Sequence, residues 1–205
     1  MQSYKCDGIY IQKKTQLYKE ACPLKRQEYL EKIKNLNPEK TIYLDETGIN
    51  DNETTLNGYS EKGTRLFTYK KAFSSTRVSI IGALCNNKLL EVIMQEGFTC
   101  RESIEVFIDE LFKITGFGFT LIMDNASFHK GGKIELIAKK HQCYIIYLPS
   151  YSPDFNPIEC FWFPIKNKIR KYLSYFKNNI IDAGFAAFRE LKHLFHENLL
   201  SRSIC

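Results

Sequence analysis

Thr41–Gly48 reads TIYLDETG and Thr120–His129 reads TLIMDNASFH; each runs apolar and β-branched residues straight into an aspartate, Asp45 in the first and Asp124 in the second. Such runs are the pattern of strands buried in a sheet. The aspartate therefore puts a charged oxygen at the rim of a hydrocarbon core, which is costly without a cation. A third carboxylate, Glu159, follows Asp124 with 34 residues between them, inside LPSYSPDFNPIECFW (148–162). Two strand-end aspartates and a glutamate opening a helix supply three hard oxygen ligands of the kind that hold Mg²⁺ or Mn²⁺. Paired divalent ions suit phosphoryl transfer, so the chemistry points at phosphodiester bonds.

The flanking sequence builds a sheet around these strands. Gly48 to Gly58 is rich in Asn, Asp, Thr and Gly and reads as a loop, and GTRLFTY, RVSIIGALC and KLLEVIMQ follow as candidate strands of an antiparallel meander. Asn86-Asn87 forms the turn between the last two. Thr99 and Glu102 make a T-x-x-E capping box, after which Ile104, Phe107, Ile108, Leu111 and Phe112 repeat with a helical period. FTLIMD, GKIELIAKK and CYIIYLP read as strand, helix and strand, with Leu121–Met123 and Ile145–Leu148 apolar enough to be buried on both faces. After the turn SYSPDFNP, Asn156 is expected to cap a helix whose first residue is Pro157, with Glu159 in the favourable first turn. Pro164, about two turns in, is expected to kink it. Ile181, Phe185, Phe188, Leu191 and Phe195 repeat at helical spacing and are expected to cover one sheet face. The predicted fold is α/β, a mixed five-stranded sheet flanked by helices.

Length allows one well-buried domain and a small appendage: 205 residues, divided here into a basic linker or arm at 1–40, outside the core, and a catalytic domain at 41–205. The net charge is +6, and residues 1–40 hold nine Lys/Arg against five Asp/Glu. Residues 160–181 carry Lys166, Lys168, Arg170, Lys171 and Lys177 with no acid. Such a run is ordinarily a solvated helix face, but beside Glu159 nucleic-acid contact becomes the better reading. Seven cysteines without a C-x-x-C pair, in a sequence with no signal peptide, predict reduced thiols in a cytoplasmic protein. No apolar run reaches the length of a membrane span.

YLDETG, MDNASFH and LPSYSPDFNPIECFW, with K-x-K-x-R-K after them, closely resemble the DDE transposases of bacterial insertion sequences related to mariner elements. The resemblance covers roughly Thr41 to Lys171 and includes the gap between the second and third carboxylates. It implies a ribonuclease H-like core, two divalent metal ions (Mg²⁺ or Mn²⁺) held by Asp45, Asp124 and Glu159, DNA cleavage at transposon ends, and strand transfer into target DNA. A homodimer on DNA is implied as well. Full-length relatives begin with helix-turn-helix modules, for which residues 1–40 have no room. The expectation is a frameshift partner of an upstream helix-turn-helix polypeptide, or a truncated copy; the alternative function is a decayed fragment that binds DNA nonspecifically.

Other residues are read beside the three carboxylates. Glu46 must point to the strand's opposite face. Asn125, His129 and Asn156 are candidate supports of the site. His129 could orient a phosphate or water, or cap the following helix. Lys166, Lys168, Arg170 and Lys171 are candidate DNA contacts. Trp162 is read as a core anchor, not a base-stacking platform. Tyr151, Ser152, Asn156 and Pro157 are expected to shape the turn that delivers Glu159, and Gly58, Tyr59, Lys62 and Arg65 a DNA-facing hairpin. An aspartate-nucleophile phosphatase is excluded, because it needs a second Asp two residues after the first and Thr47 stands there.

Overall fold

The computed structural model describes residues 18–55, 58–67, 69–70, 72–125 and 133–191. Its centre is a five-stranded sheet in the order β3-β2-β1-β4-β5. β1 (Thr41–Asn50) pairs antiparallel with β2 (Arg77–Cys85), which pairs antiparallel with β3 (Lys88–Glu96). On its other side β1 pairs parallel with β4 (Thr120–Met123), and β4 with β5 (Tyr144–Tyr147). This is the expected mixed ribonuclease H-like arrangement. The β2–β3 turn is made by Asn86 and Asn87, with φ of 47° and 58°. Positive φ at both positions is the two-residue turn whose twist matches a hairpin.

Alternation along β2 sorts the core into two layers. Val78, Ile80 and Leu84 point to one face, where they meet α4 (Glu159–Leu173) and α5 (Ile180–Glu190) through Trp162, Ile165, Ile169 and Ala183. Ile81, Ala83 and Cys85 point to the other, against α2 (Arg101–Thr115) and α3 (Lys133–Lys140) through Ile104, Ile108, Leu111 and Ile134. The nearly continuous apolar run of RVSIIGALC follows from that double burial, its buried Ser79 being satisfied by the Gly97 carbonyl. β4 is likewise buried throughout, whereas β5 is only partly covered and Tyr144 is exposed, because β5 is a sheet edge.

Several local expectations change. β1 runs on through Gly48 and Ile49 to Asn50, paired with Arg77–Ser79, so the loop begins at Asp51. GTRLFTY forms no strand among the described residues, and neither does the stretch from Gly58 to Arg65. α2 starts at Arg101 with Cys100 at the N-cap and no side-chain cap, so the Thr99 capping box does not form. α4 runs unbroken through Pro164; at the second turn a proline forfeits one ladder bond and does not end the helix. In the arm, α1 (Pro23–Ile33) sends Tyr29 into a small cluster with Ile122 and Leu148, so Tyr29 lies in the core and not outside it. Phe195 lies outside the described residues. No described helix is long and apolar enough to cross a membrane, and the described cysteines Cys22, Cys85, Cys100, Cys143 and Cys160 are unpaired.

Candidate active site

β1 and β4 are paired Ile42 to Leu121 and Tyr43 to Ile122. Continuing that parallel register two residues sets Asp45 level with Asp124, on neighbouring strands that lie about 5 Å apart. Glu159 comes from the first turn of α4. All three line one cleft of about 520 Å³, shared with Asn125, Ser152 and Asn156. Asp45 sits in the middle of β1 and not at its end as expected, because β1 stays paired with β2 as far as Asn50, while Asp124 lies just past the end of β4; both face the same cleft as the helix entry. His129 lies outside the described residues.

The entry to α4 is built differently from the expected cap. A 3₁₀ turn at Pro153–Phe155 leads to Asn156, and the N-cap of α4 is Ile158, without a side-chain cap. Asn156 is 4% exposed; its carbonyl accepts from the N–H of Glu159 at 3.2 Å, and its Nδ2 donates to the Leu44 carbonyl at 3.4 Å. It ties the helix entry to the backbone just before Asp45, and its Oδ1 is buried without a partner. Tyr151, beside it, has a φ of 58°, a left-handed conformation that a bulky residue adopts only under tertiary constraint. The arm braces this turn: Arg26 forks onto Asp154 at 2.6 and 3.0 Å and lies 4.0 Å over the Phe155 ring, on which Tyr29 also stacks.

Charge in the cleft is under-compensated. Burial pushes the Asp45 carboxyl up to about 7; the Trp162 N–H opposes this, while the charges of Glu159 and Glu46 add to it. One pKa unit corresponds to about 1.4 kcal/mol, so an anionic Asp45 is disfavoured here by several kcal/mol. Burial also raises Glu159, with Lys166 opposing. Among the described residues no three His, Cys, Asp or Glu side chains approach closely enough to hold an ion as they stand. The donor set nonetheless fits a hard divalent cation: all oxygens, two of them on carboxylates whose anionic forms are disfavoured, plus an unpartnered buried amide oxygen alongside.

The basic run on α4 separates into different environments. Lys166 is half-buried and lowered, first by desolvation. Lys168 is paired with Glu190, and Arg170 binds Glu53 at 2.7 and 2.8 Å and Asn167 at 2.9 Å. Lys171 is exposed. One contact escaped sequence reasoning altogether: the Trp162 Nε1 donates to Asp45 Oδ2 at 2.7 Å. The only available signal was that Trp162 stands three residues after Glu159, on the same helix face.

A family model described as DDE superfamily endonuclease matches residues 40–180. No curated protein matches the chain. Among solved structures, a Mos1 transposase paired-end complex with left transposon end is 14% identical, with a TM-score of 0.57, over 76% of this chain and 52% of that one. A Mos1 mariner paired-end complex with Mn is 13% identical, with a TM-score of 0.59, over 77% and 52%. The catalytic domain of Mos1 mariner transposase is 12% identical, with a TM-score of 0.50, over 73% and 71%. At such identities the likeness establishes a shared fold. The chain spans about half the length of the paired-end chains it matches.

Proposed function

The chain belongs to the DDE superfamily endonucleases, and from that premise we propose that it is the catalytic part of a transposase, cutting DNA at the ends of a mobile element and joining them to target DNA. In this reading residues 41–205 form the catalytic unit and residues 1–40 an arm. Asp45, Asp124 and Glu159 hold two divalent ions, Mg²⁺ or Mn²⁺. The observation that carries it is the cleft lined by all three, where burial disfavours the anionic forms of Asp45 and Glu159. Bound there, the ions would activate the attacking water or 3′-hydroxyl and stabilise the leaving oxygen.

The protein's part is positioning. Asp45 offers its oxygens from the middle of β1 and Asp124 from just past the end of neighbouring β4, and Glu159 approaches from the helix, held there by the Asn156 bridge to Leu44. Asn125 and Asn156 support the site from the cleft wall. Lys166 and Lys171 meet phosphates of the DNA backbone, with Lys168 and Arg170 contributing when released from Glu190 and Glu53. Backbone contacts carry no direct sequence information. We therefore assign recognition of the element ends to a helix-turn-helix partner, and the working form to a homodimer on DNA.

The test is cleavage of an end-sequence duplex in Mn²⁺. A nick at the element boundary is expected, and Asp45→Asn, Asp124→Asn and Glu159→Gln should each reduce it to background, since each swap removes ligand charge at nearly constant volume, while thermal melting stays cooperative. Full cleavage by any one variant removes that residue from the site. DNA binding without cleavage by the unaltered chain favours the decayed-fragment alternative.

A further inference from the structure

Trp162 is the only tryptophan of the chain. It lies on α4 one turn after Glu159, is 4% exposed, and donates through Nε1 to Asp45 Oδ2 at 2.7 Å. Its ring can reach that far because the residue paired with Asp45 on β2 is Gly82. A Cβ there would fall 2.7 Å from Trp162 Cη2 and 3.3 Å from Ile158 Cδ1. Indole, glycine and aspartate thus form a three-element contact over the centre of the sheet. An indole N–H is a donor only and carries no charge. It can orient a carboxylate without neutralising it, whereas a lysine or arginine in its place would compete with a cation.

We propose that Trp162 is a positioning residue for metal binding: by holding Asp45 Oδ2 it orients that carboxylate toward the cleft where a divalent ion would sit, and in the same contact it fixes α4, and so Glu159, against β1. The inference rests on the metal-dependent reading of the cleft. The competing explanation is that a buried indole simply takes the nearest acceptor; in that case its loss lowers stability and leaves metal affinity unchanged.

A single tryptophan makes the test direct, because indole emission reports the surroundings of Trp162 and of no other residue. The full chain is titrated with Mn²⁺ while tryptophan emission and thermal midpoint are both followed. The unaltered protein should show a saturable change in both, and Asp45→Asn should alter the metal-free emission and abolish the response. Trp162→Phe keeps an aromatic ring without the N–H. It should require roughly 10–100-fold more Mn²⁺ for its half-maximal thermal shift, the usual scale for groups that orient metal ligands. A folded Trp162→Phe that takes Mn²⁺ like the unaltered chain overturns the inference and leaves the metal site standing. If Trp162→Phe does not fold, emission decides: identical spectra for the unaltered chain and Asp45→Asn, with and without Mn²⁺, overturn it too. Absence of any Mn²⁺ response in the unaltered chain removes the metal reading and this inference together.

Discussion

Two aspartates six positions apart on one stretch of chain have opposite electrostatic fates. Asp45 receives one side-chain donor, from Trp162, and is pushed up to about 7. Asp51 lies just beyond the end of β1, where burial would raise it as well, but it accepts from Ser75 Oγ at 2.7 Å, Ser74 Oγ at 2.8 Å and the Ser75 N–H at 3.0 Å. Those donors outweigh burial and hold its carboxyl well below the usual carboxylate range. Asp51 is satisfied by its donors, while at Asp45 burial outweighs the hydrogen bonds it receives. Since Asp51 is depressed in the folded state, it contributes stability that is present above the unfolded carboxyl value, near 3.9, and is lost as pH falls through the lower folded value. Asp51→Asn should therefore cost about 2 kcal/mol at neutral pH, the scale of hydrogen bonds to a charged group. The gap between variant and unaltered protein should narrow below about pH 4. Urea unfolding at several pH values checks this, and a pH-independent gap would assign the loss to packing.

At the scale of elements, the seat of α4 on β2 decides the site. Gly82 is required by a close approach: its φ is not in the left-handed region, and what a side chain would meet is the Trp162 ring, a rigid object. Gly184 on α5 is also tightly packed, but against the flexible thioether end of Met94, which can move. Gly82→Ala should therefore destabilise by about 1–3 kcal/mol through overpacking, and should displace α4 from β1. Chemical denaturation measures the first effect and the Mn²⁺-induced thermal shift the second. Stability and Mn²⁺ response both equal to those of the unaltered protein would mean that the helix is not seated by this contact.

Over the whole molecule, a net charge of +6 favours a polyanionic partner, but the α4 cations are not equivalent. Lys168 and Arg170 are engaged by Glu190 and Glu53, whereas Lys171 is exposed and Lys166 faces the Glu159 side. Replacing Lys166 and Lys171 together by Ala should flatten the slope of log K against log salt by up to about 2, roughly one unit per lost phosphate contact. The Lys168 and Arg170 pair should change it less. A larger effect from the second pair would show that DNA breaks those ion pairs on binding. The division between what could and could not be read in the chain follows the same logic. Apolar runs leading into an aspartate, the paired Asn86-Asn87 turn and the period of α2 are local patterns, each set by neighbours a few residues away, so the sheet's five strands and the three carboxylates that line one cleft could be picked out in the sequence alone. The limits of β1, the missing strand at GTRLFTY, the unused capping box at Thr99 and the role of Asn156 were not, because competing partners for each backbone group exist only once distant segments meet. The Trp162 bond to Asp45 spans 117 positions and depends on a glycine in a third element, Gly82 of β2. Only tertiary packing could decide it, since a side-chain donor takes its acceptor from what the fold brings within 3 Å.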